Sequence, residues 1–140
     1  MPVDEAIEAR VREINDAVQM LRSLTGKGFG ELTVHERLSM RYLVIQLVEA
    51  SSSICMRLLL NVFNEGVEGF PECFVRLGVK GVIPGELASR LSSAARLRNL
   101  LVHRYWVISD DKVYESVKDG LKDFETFILH VRGFLEKGGA

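Results

Sequence analysis

One eleven-residue window of the chain is richer than any other in side chains that could do chemistry. It contains three arginines, an asparagine, a tyrosine, one of the three histidines and the only tryptophan. A guanidinium can bind a phosphate through two hydrogen bonds, and an imidazole can move protons near neutral pH. Together these groups suit phosphodiester cleavage. The side chains concerned are Arg96, Arg98, Asn99, His103, Arg104, Tyr105 and Trp106.

Arg98 and His103 are the candidate catalytic residues. They are five positions apart, which is about 140° around an ideal helix, so the two side chains would flank a site rather than stack. A second copy of the protein could supply the opposing pair. An arginine and a histidine near a helix end are also common structural residues, so the pattern alone leaves both interpretations open.

The surroundings of Arg98 add a second argument. Arg98 falls on an apolar line of its predicted helix, where a guanidinium is costly unless it is paired or faces a groove. We expect a groove, with Arg98 and His103 both projecting into solvent. Trp106 is expected to pack, although an exposed tryptophan could stack on a base. Either a basic rim or a solvated helix face would explain Arg90, Arg96 and Arg104.

The elements that must position this window are helices. Apolar residues recur every three or four positions, and the only alternation of period two is the brief stretch from Tyr105 to Ile108. Thr33 and Glu36 fit a capping box. We predict an all-α, up-and-down antiparallel bundle of four long helices plus one short helix, a single domain over residues 1–140. The helices are predicted at about 4–24, 33–64, 72–77, 85–102 and 109–137.

One apolar stripe on each helix is predicted to form the core. The first helix contributes Ile7, Val11, Ile14, Val18 and Leu21. The stripe of the second helix is Leu38, Tyr42, Ile45, Val48, Ser52, Cys55, Leu59 and Val62. The stripe of the last helix is Val113, Val117, Leu121, Phe124, Ile128, Val131 and Leu135. Methionine is suited to filling gaps in such a core, and this role is expected of Met20, Met40 and Met56.

Composition narrows the possible functions. Apolar residues make up 47% of the chain, an ordinary globular value that argues against disorder. The net charge is −1, so any anion site must be local. Uninterrupted apolar runs are far shorter than the roughly 20 residues of a membrane span, and the acidic start is unlike a secretory signal. We expect a cytoplasmic protein with neither a membrane nor a DNA partner.

Metal and cofactor chemistry find no support in the sequence. Cys55 and Cys73 have no CxxC spacing, so we expect buried, reduced thiols. His35 and His130 are scattered, away from other residues with metal-ligand spacing. We therefore predict no metal site and no cofactor.

The window resembles a known motif. Residues 98–105, Arg-Asn-Leu-Leu-Val-His-Arg-Tyr, resemble the R-x4-H-x-Y motif of the HEPN superfamily, in particular the HepT-like toxins that pair with minimal nucleotidyltransferase antitoxins. The second-helix stretch 42–50 and the interhelical stretch 74–84 also resemble this family, so the similarity covers nearly the whole chain. The chain departs from the family in having Ala94-Ala95 where members often have a glycine.

The resemblance implies a metal-independent endoribonuclease formed by a homodimer, in which the two motifs meet. His103 would be the general acid or base and Arg98 would hold the phosphate, while Asn99 would orient His103 or contact RNA. It also implies a nucleotidyltransferase partner that transfers AMP to Tyr105 and so blocks RNA binding. A non-catalytic helical subunit that positions the substrate of a nucleotidyltransferase remains the alternative.

Overall fold

The computed structural model describes residues 2–138, and this part of the chain is all-α as predicted, with no β-strand. Two short 3-10 turns, at Phe29–Glu31 and Tyr105–Val107, separate longer elements. The helices are α1 Pro2–Thr25, α2 Val34–Phe63, α3 Phe70–Val79, α4 Gly85–His103 and α5 Asp110–Glu136. Four long helices and a short one were expected, and their bounds agree with the prediction to within a few residues.

Local signals explain where α2 begins and ends. The Thr33 hydroxyl accepts a hydrogen bond from the Glu36 N–H (3.1 Å), and the Glu36 carboxylate accepts one from the Thr33 N–H (3.0 Å), which confirms the capping box. At the other end Asn64 adopts a left-handed conformation with φ of 56°. Asparagine is among the few residues that tolerate this conformation, so the helix stops there.

A continuous core joins all five helices. The predicted stripe of α1 is buried throughout. The stripe of α5 is buried from Val113 to Val131, with Leu135 partly buried against the core. Met40 is buried and Met56 is partly buried, in agreement with their expected role.

The predicted burial of three apolar side chains is wrong. Leu38 and Tyr42 of α2 and Met20 of α1 are exposed and lie together on the surface. The reason is that α2 packs against each of the other four helices. Its buried positions therefore do not follow a single stripe, and periodicity alone could not show which positions are covered.

The apolar character of α2 has the same origin. By length and composition this helix could cross a membrane, with a mean hydropathy of 1.6 over its most apolar 18 residues, although its uninterrupted apolar runs are short. In the structure 61% of that stretch is buried inside the bundle. The composition of α2 is thus explained by its central position.

Close packing of α3 against α4 brings residues of both helices together at the site described below. A Cβ atom added to Gly78 would lie 2.7 Å from the Cβ of Ala88, closer than two such atoms can come. Glycine at this position therefore lets the two helices touch. Because α3 and α4 are antiparallel neighbours, the start of α3 at Phe70 lies beside the last turns of α4, at Arg98.

The two cysteines are buried free thiols, as expected. Burial, together with a hydrogen bond to Cys73, raises the pKa of the Cys55 thiol far above its usual value. The thiolate is the reactive form of cysteine, so Cys55 is an inert core residue.

Candidate active site

Arg98 is held by three elements. Its Nη2 donates to the carboxylate of Glu49 on α2 (2.6 Å), and its Nη1 donates to Oδ1 of Asn99 (3.0 Å). Its guanidinium carbon lies 4.7 Å from the centre of the Phe70 ring on α3. The side chain is only 17% exposed. The expectation that Arg98 projects into solvent is therefore wrong, and its charge is compensated by Glu49.

The Arg98 guanidinium keeps unused hydrogen-bonding capacity. Arginine has five N–H donors, and within residues 2–138 only the two donors above are engaged; the Nε is buried without a partner. A buried donor without a partner is costly. Nη1 and Nη2 each keep a second N–H, and these are the donors that an oxyanion bound beside the Glu49 pair would use.

His103 is the last residue of α4, and its side chain is exposed. The helix stops here because Arg104 leaves helical geometry (φ −144°, ψ 51°), although its N–H still donates to the Leu100 carbonyl (2.8 Å). In the described part of the chain the His103 side chain has no hydrogen bond, and Asn99 contacts Arg98 rather than His103. The expected orientation of His103 by Asn99 is not seen.

The turn after His103 carries two exposed aromatic residues. Tyr105 is 63% exposed and Trp106 is 68% exposed, and their rings meet edge to face with centroids 5.3 Å apart. Trp106 was expected to pack, and this is wrong for the single chain because no helix covers the turn. The Tyr105 side chain is open to an approaching macromolecule.

The other arginines of the window lie elsewhere. Arg96 is on the other side of α4, about 200° from Arg98, in a groove lined by Val75 of α3. Arg90 pairs with Asp123 of α5 (Nε to Oδ1, 3.0 Å), so it does not contribute free charge to a rim. Arg104 is exposed at the end of α4, beside His103. The structure thus brings Arg104, but not Arg90 or Arg96, to the same end of the site.

Three further residues of the site were not predicted from the sequence. Glu49 and Phe70 hold Arg98, and Arg41 of α2 donates to the Tyr105 carbonyl (2.9 Å) and to the Ile108 carbonyl (2.6 Å). Glu49 falls inside the stretch 42–50 that resembles the HEPN family, which was the only available signal. Nothing in the periodicity marks Arg41, because its partners are more than sixty positions away.

Other possible sites lie apart from this one. A cavity of about 330 Å³ lies between α2, α4 and α5, with apolar walls and the Arg90–Asp123 pair, and neither Arg98 nor His103 lines it. In the part of the chain that the structure describes, no group of three or more His, Cys, Asp or Glu side chains is placed to hold a metal ion.

Comparisons with known proteins agree with the fold and the motif. The family model described as Ribonuclease HepT-like matches residues 14–131. The tRNA nuclease HepT of Aphanizomenon flos-aquae (strain 2012/KM1/D3) is 28% identical over 64 residues. That match spans 46% of this chain and 44% of the relative, so less than half of the relative's length is matched.

Solved structures show the same fold. A toxin–antitoxin crystal structure with AMP-PNP superposes with a TM-score of 0.85 at 21% identity, covering 92% of this chain and 98% of the other. The tri-AMPylated Shewanella oneidensis HEPN toxin in complex with MNT antitoxin gives a TM-score of 0.84 at 22% identity, covering 91% and 97%. The family match extends over most of the chain and includes the whole motif. This chain belongs to the ribonuclease HepT-like family.

Proposed function

We propose that this protein is a metal-independent endoribonuclease toxin of a type VII-like toxin–antitoxin pair. The observation that carries the proposal is the arrangement around α4: Arg98 is fixed by Glu49 with donors to spare, and His103 is exposed one turn further on, where the helix ends. The family match and the tRNA nuclease among its relatives support the same reading. We take residues 1–140 as a single domain that acts in the cytoplasm.

The proposed reaction needs a ribose 2′-hydroxyl, so the substrate is RNA and not DNA. The 2′-oxygen attacks the neighbouring phosphorus, and the bond from phosphorus to the 5′-oxygen breaks. His103 takes the proton from the 2′-hydroxyl or gives one to the leaving oxygen, and Arg98 stabilises the charge that develops on the phosphate. Neither role requires a metal ion or a cofactor.

A homodimer follows from this chemistry. One imidazole cannot act as base and as acid in the same step, and each chain offers one histidine in the motif. A second copy that brings its own Arg98 and His103 to the same cleft would supply both groups. Asn99 supports Arg98, while Arg96 and Arg104 are exposed cations for RNA phosphates outside the cleft.

Tyr105 is the proposed site of control. The Shewanella oneidensis HEPN toxin is tri-AMPylated and bound to its MNT antitoxin. Tyr105 is exposed and lies two residues beyond His103, so a minimal nucleotidyltransferase antitoxin could transfer AMP from ATP to its hydroxyl. The added phosphate would place negative charge where an RNA phosphate must bind, and cleavage would stop.

One observation favours the second candidate, a non-catalytic subunit that positions the substrate of a nucleotidyltransferase. Glu49 already neutralises the Arg98 charge in the single chain, as it would in a purely structural pair. The two candidates differ in a single respect, which is whether the isolated protein cuts RNA.

The test compares the parent protein with His103→Ala, using His35→Ala as the matched control because His35 is also exposed but lies at the start of α2. Each protein is expressed without a partner and purified for RNA cleavage with a metal chelator present. We expect growth arrest and cleavage from the parent and from His35→Ala, and neither from His103→Ala. Cleavage that persists in His103→Ala, or that is absent from the parent, contradicts the proposal.

A further inference from the structure

We propose that Arg41 is the positioning residue of the active site: it fixes the turn that presents Tyr105 and Trp106 and that follows His103. The inference rests on the proposed function for its chemical consequence, but its structural part can be tested without it. No signal in the sequence and none of the comparisons assigns a role to this residue.

The contacts of Arg41 use all three nitrogens of its guanidinium group. Nη1 donates to the Tyr105 carbonyl (2.9 Å), Nη2 donates to the Ile108 carbonyl (2.6 Å), and Nε forms an ion pair with the carboxylate of Asp110. The side chain is 17% exposed. One arginine on α2 therefore joins both ends of the turn and the first residue of α5.

The turn has little else to hold it. Within the segment 104–109 one backbone hydrogen bond joins two residues of the turn, from the Val107 N–H to the Arg104 carbonyl (2.9 Å). The side chains of Tyr105, Trp106 and Val107 are all exposed, and only Ile108 packs against the core. Since the turn has no apolar anchor at its tip, the backbone contacts of Arg41 are what define its conformation.

The consequence for chemistry is geometric. Holding the Tyr105 carbonyl fixes the direction in which the Tyr105 side chain leaves the backbone, and it also fixes the chain two residues after His103. A displacement of about 1 Å at a reacting group can cost on the order of a hundredfold in rate. Arg41 acts only through the turn and contacts neither RNA nor AMP.

Three variants separate this role from a general contribution to stability. Arg41→Ala removes all the contacts. Arg41→Lys keeps the charge beside Asp110, but an ammonium group cannot span two carbonyl groups as a planar guanidinium does. Asp110→Asn removes the ion pair and leaves the two carbonyl contacts. The matched control is Arg22→Ala, which also removes an interhelical arginine, one that makes two hydrogen bonds to Glu125 away from the turn.

Two readouts report on the turn itself. Trp106 is the only tryptophan, so the fast component of its time-resolved fluorescence anisotropy, separated from the overall tumbling, reports the local motion of this turn. Hydrogen exchange of the Val107 amide reports its bond to the Arg104 carbonyl. We expect Arg41→Ala and Arg41→Lys to lower the anisotropy and speed the exchange, while Asp110→Asn and Arg22→Ala resemble the parent.

RNA cleavage supplies the functional readout. We expect kcat to fall about a hundredfold in Arg41→Ala, because the groups that follow His103 lose their fixed position. An Arg41→Ala protein with parental anisotropy and exchange overturns the inference. Full recovery in Arg41→Lys, or equal damage from Asp110→Asn, also overturns it, because the carbonyl contacts would then be irrelevant. If Arg41→Ala does not fold, the comparison of Arg41→Lys with Asp110→Asn tests the inference, which requires a looser turn in Arg41→Lys and a parental turn in Asp110→Asn.

The inference and the proposed function can fail separately. If the parent does not cleave RNA, the proposed function fails, and a loosened turn in Arg41→Lys still supports the positioning role. If the parent cleaves RNA and Arg41→Lys cleaves it equally well, the positioning role fails and the proposed function stands.

Discussion

Replacing Arg98 with alanine should abolish cleavage and leave the protein folded. The change removes a hydrogen bond between charged groups, for which about 1.5–3 kcal/mol is typical, and a contact with Phe70 of about 0.5–1 kcal/mol. Glu49 is 47% exposed and regains water when its partner is lost, which brings the first contribution down towards that of a surface ion pair, at most about 1 kcal/mol. The expected loss of unfolding free energy is therefore about 0.5–2 kcal/mol.

That loss is small beside the roughly 5–15 kcal/mol that stabilise a typical domain, so Arg98→Ala should melt only about 2–8 °C below the parent. The expected loss of cleavage is far greater, about 10²–10³-fold, because a donor to the transition-state charge is removed. Arg98→Lys keeps the charge but not the planar fork and should be nearly as inactive. Circular dichroism melts and initial rates on one RNA substrate measure the two quantities.

A matched control and a double-mutant cycle sharpen this test. Arg132→Ala breaks the exposed Arg132–Glu8 pair on other helices, and it should change neither melting nor cleavage appreciably. A double-mutant cycle that combines Arg98→Ala with Glu49→Ala should give a coupling energy between the two side chains of at most about 1 kcal/mol. If Arg98→Ala is unfolded at room temperature, Arg98 is a structural residue; if it cleaves RNA as fast as the parent, the catalytic assignment is wrong.

Three further predictions concern the turn and the response to acid. Tyr105→Phe should cleave RNA but gain no AMP when incubated with the cognate nucleotidyltransferase and ATP; a mass increase equal to that of the parent would refute this. Trp106→Ala should weaken RNA binding by about 1–3 kcal/mol while Trp106→Phe should not, because an exposed ring can stack on a base; equal affinities measured by titration would refute it. Hydrogen bonds from Lys80 and then Arg76 lower the pKa of Glu65 below 4.5, so its stabilising contribution is present above that pH and is lost as the pH falls. In acid, the melting temperature of Glu65→Gln should therefore depend less on pH than that of the parent, and an equal dependence would contradict this.

The sequence by itself determined the helices and the chemical character of the motif. Helix ends depend on residues within a few positions, such as the reciprocal hydrogen bonds of Thr33 and Glu36, so local patterns were sufficient. The apolar faces of α1 and α5 were also correct, because each is regular along its length. The spacing of Arg98 and His103 is likewise a local property of one helix.

Only the tertiary structure decided which distant residues contact the motif and which helix faces are covered. Glu49 lies 49 positions from Arg98, and Arg41 lies 64 positions from Tyr105, so neither contact leaves a periodic signal in the chain. Tyr42 and Trp106 are exposed because no other helix covers them, although their residue types suggested burial. Periodicity shows which face of a helix is apolar, but which neighbour covers that face, and which distant charge can meet an arginine, depends on how the helices pack.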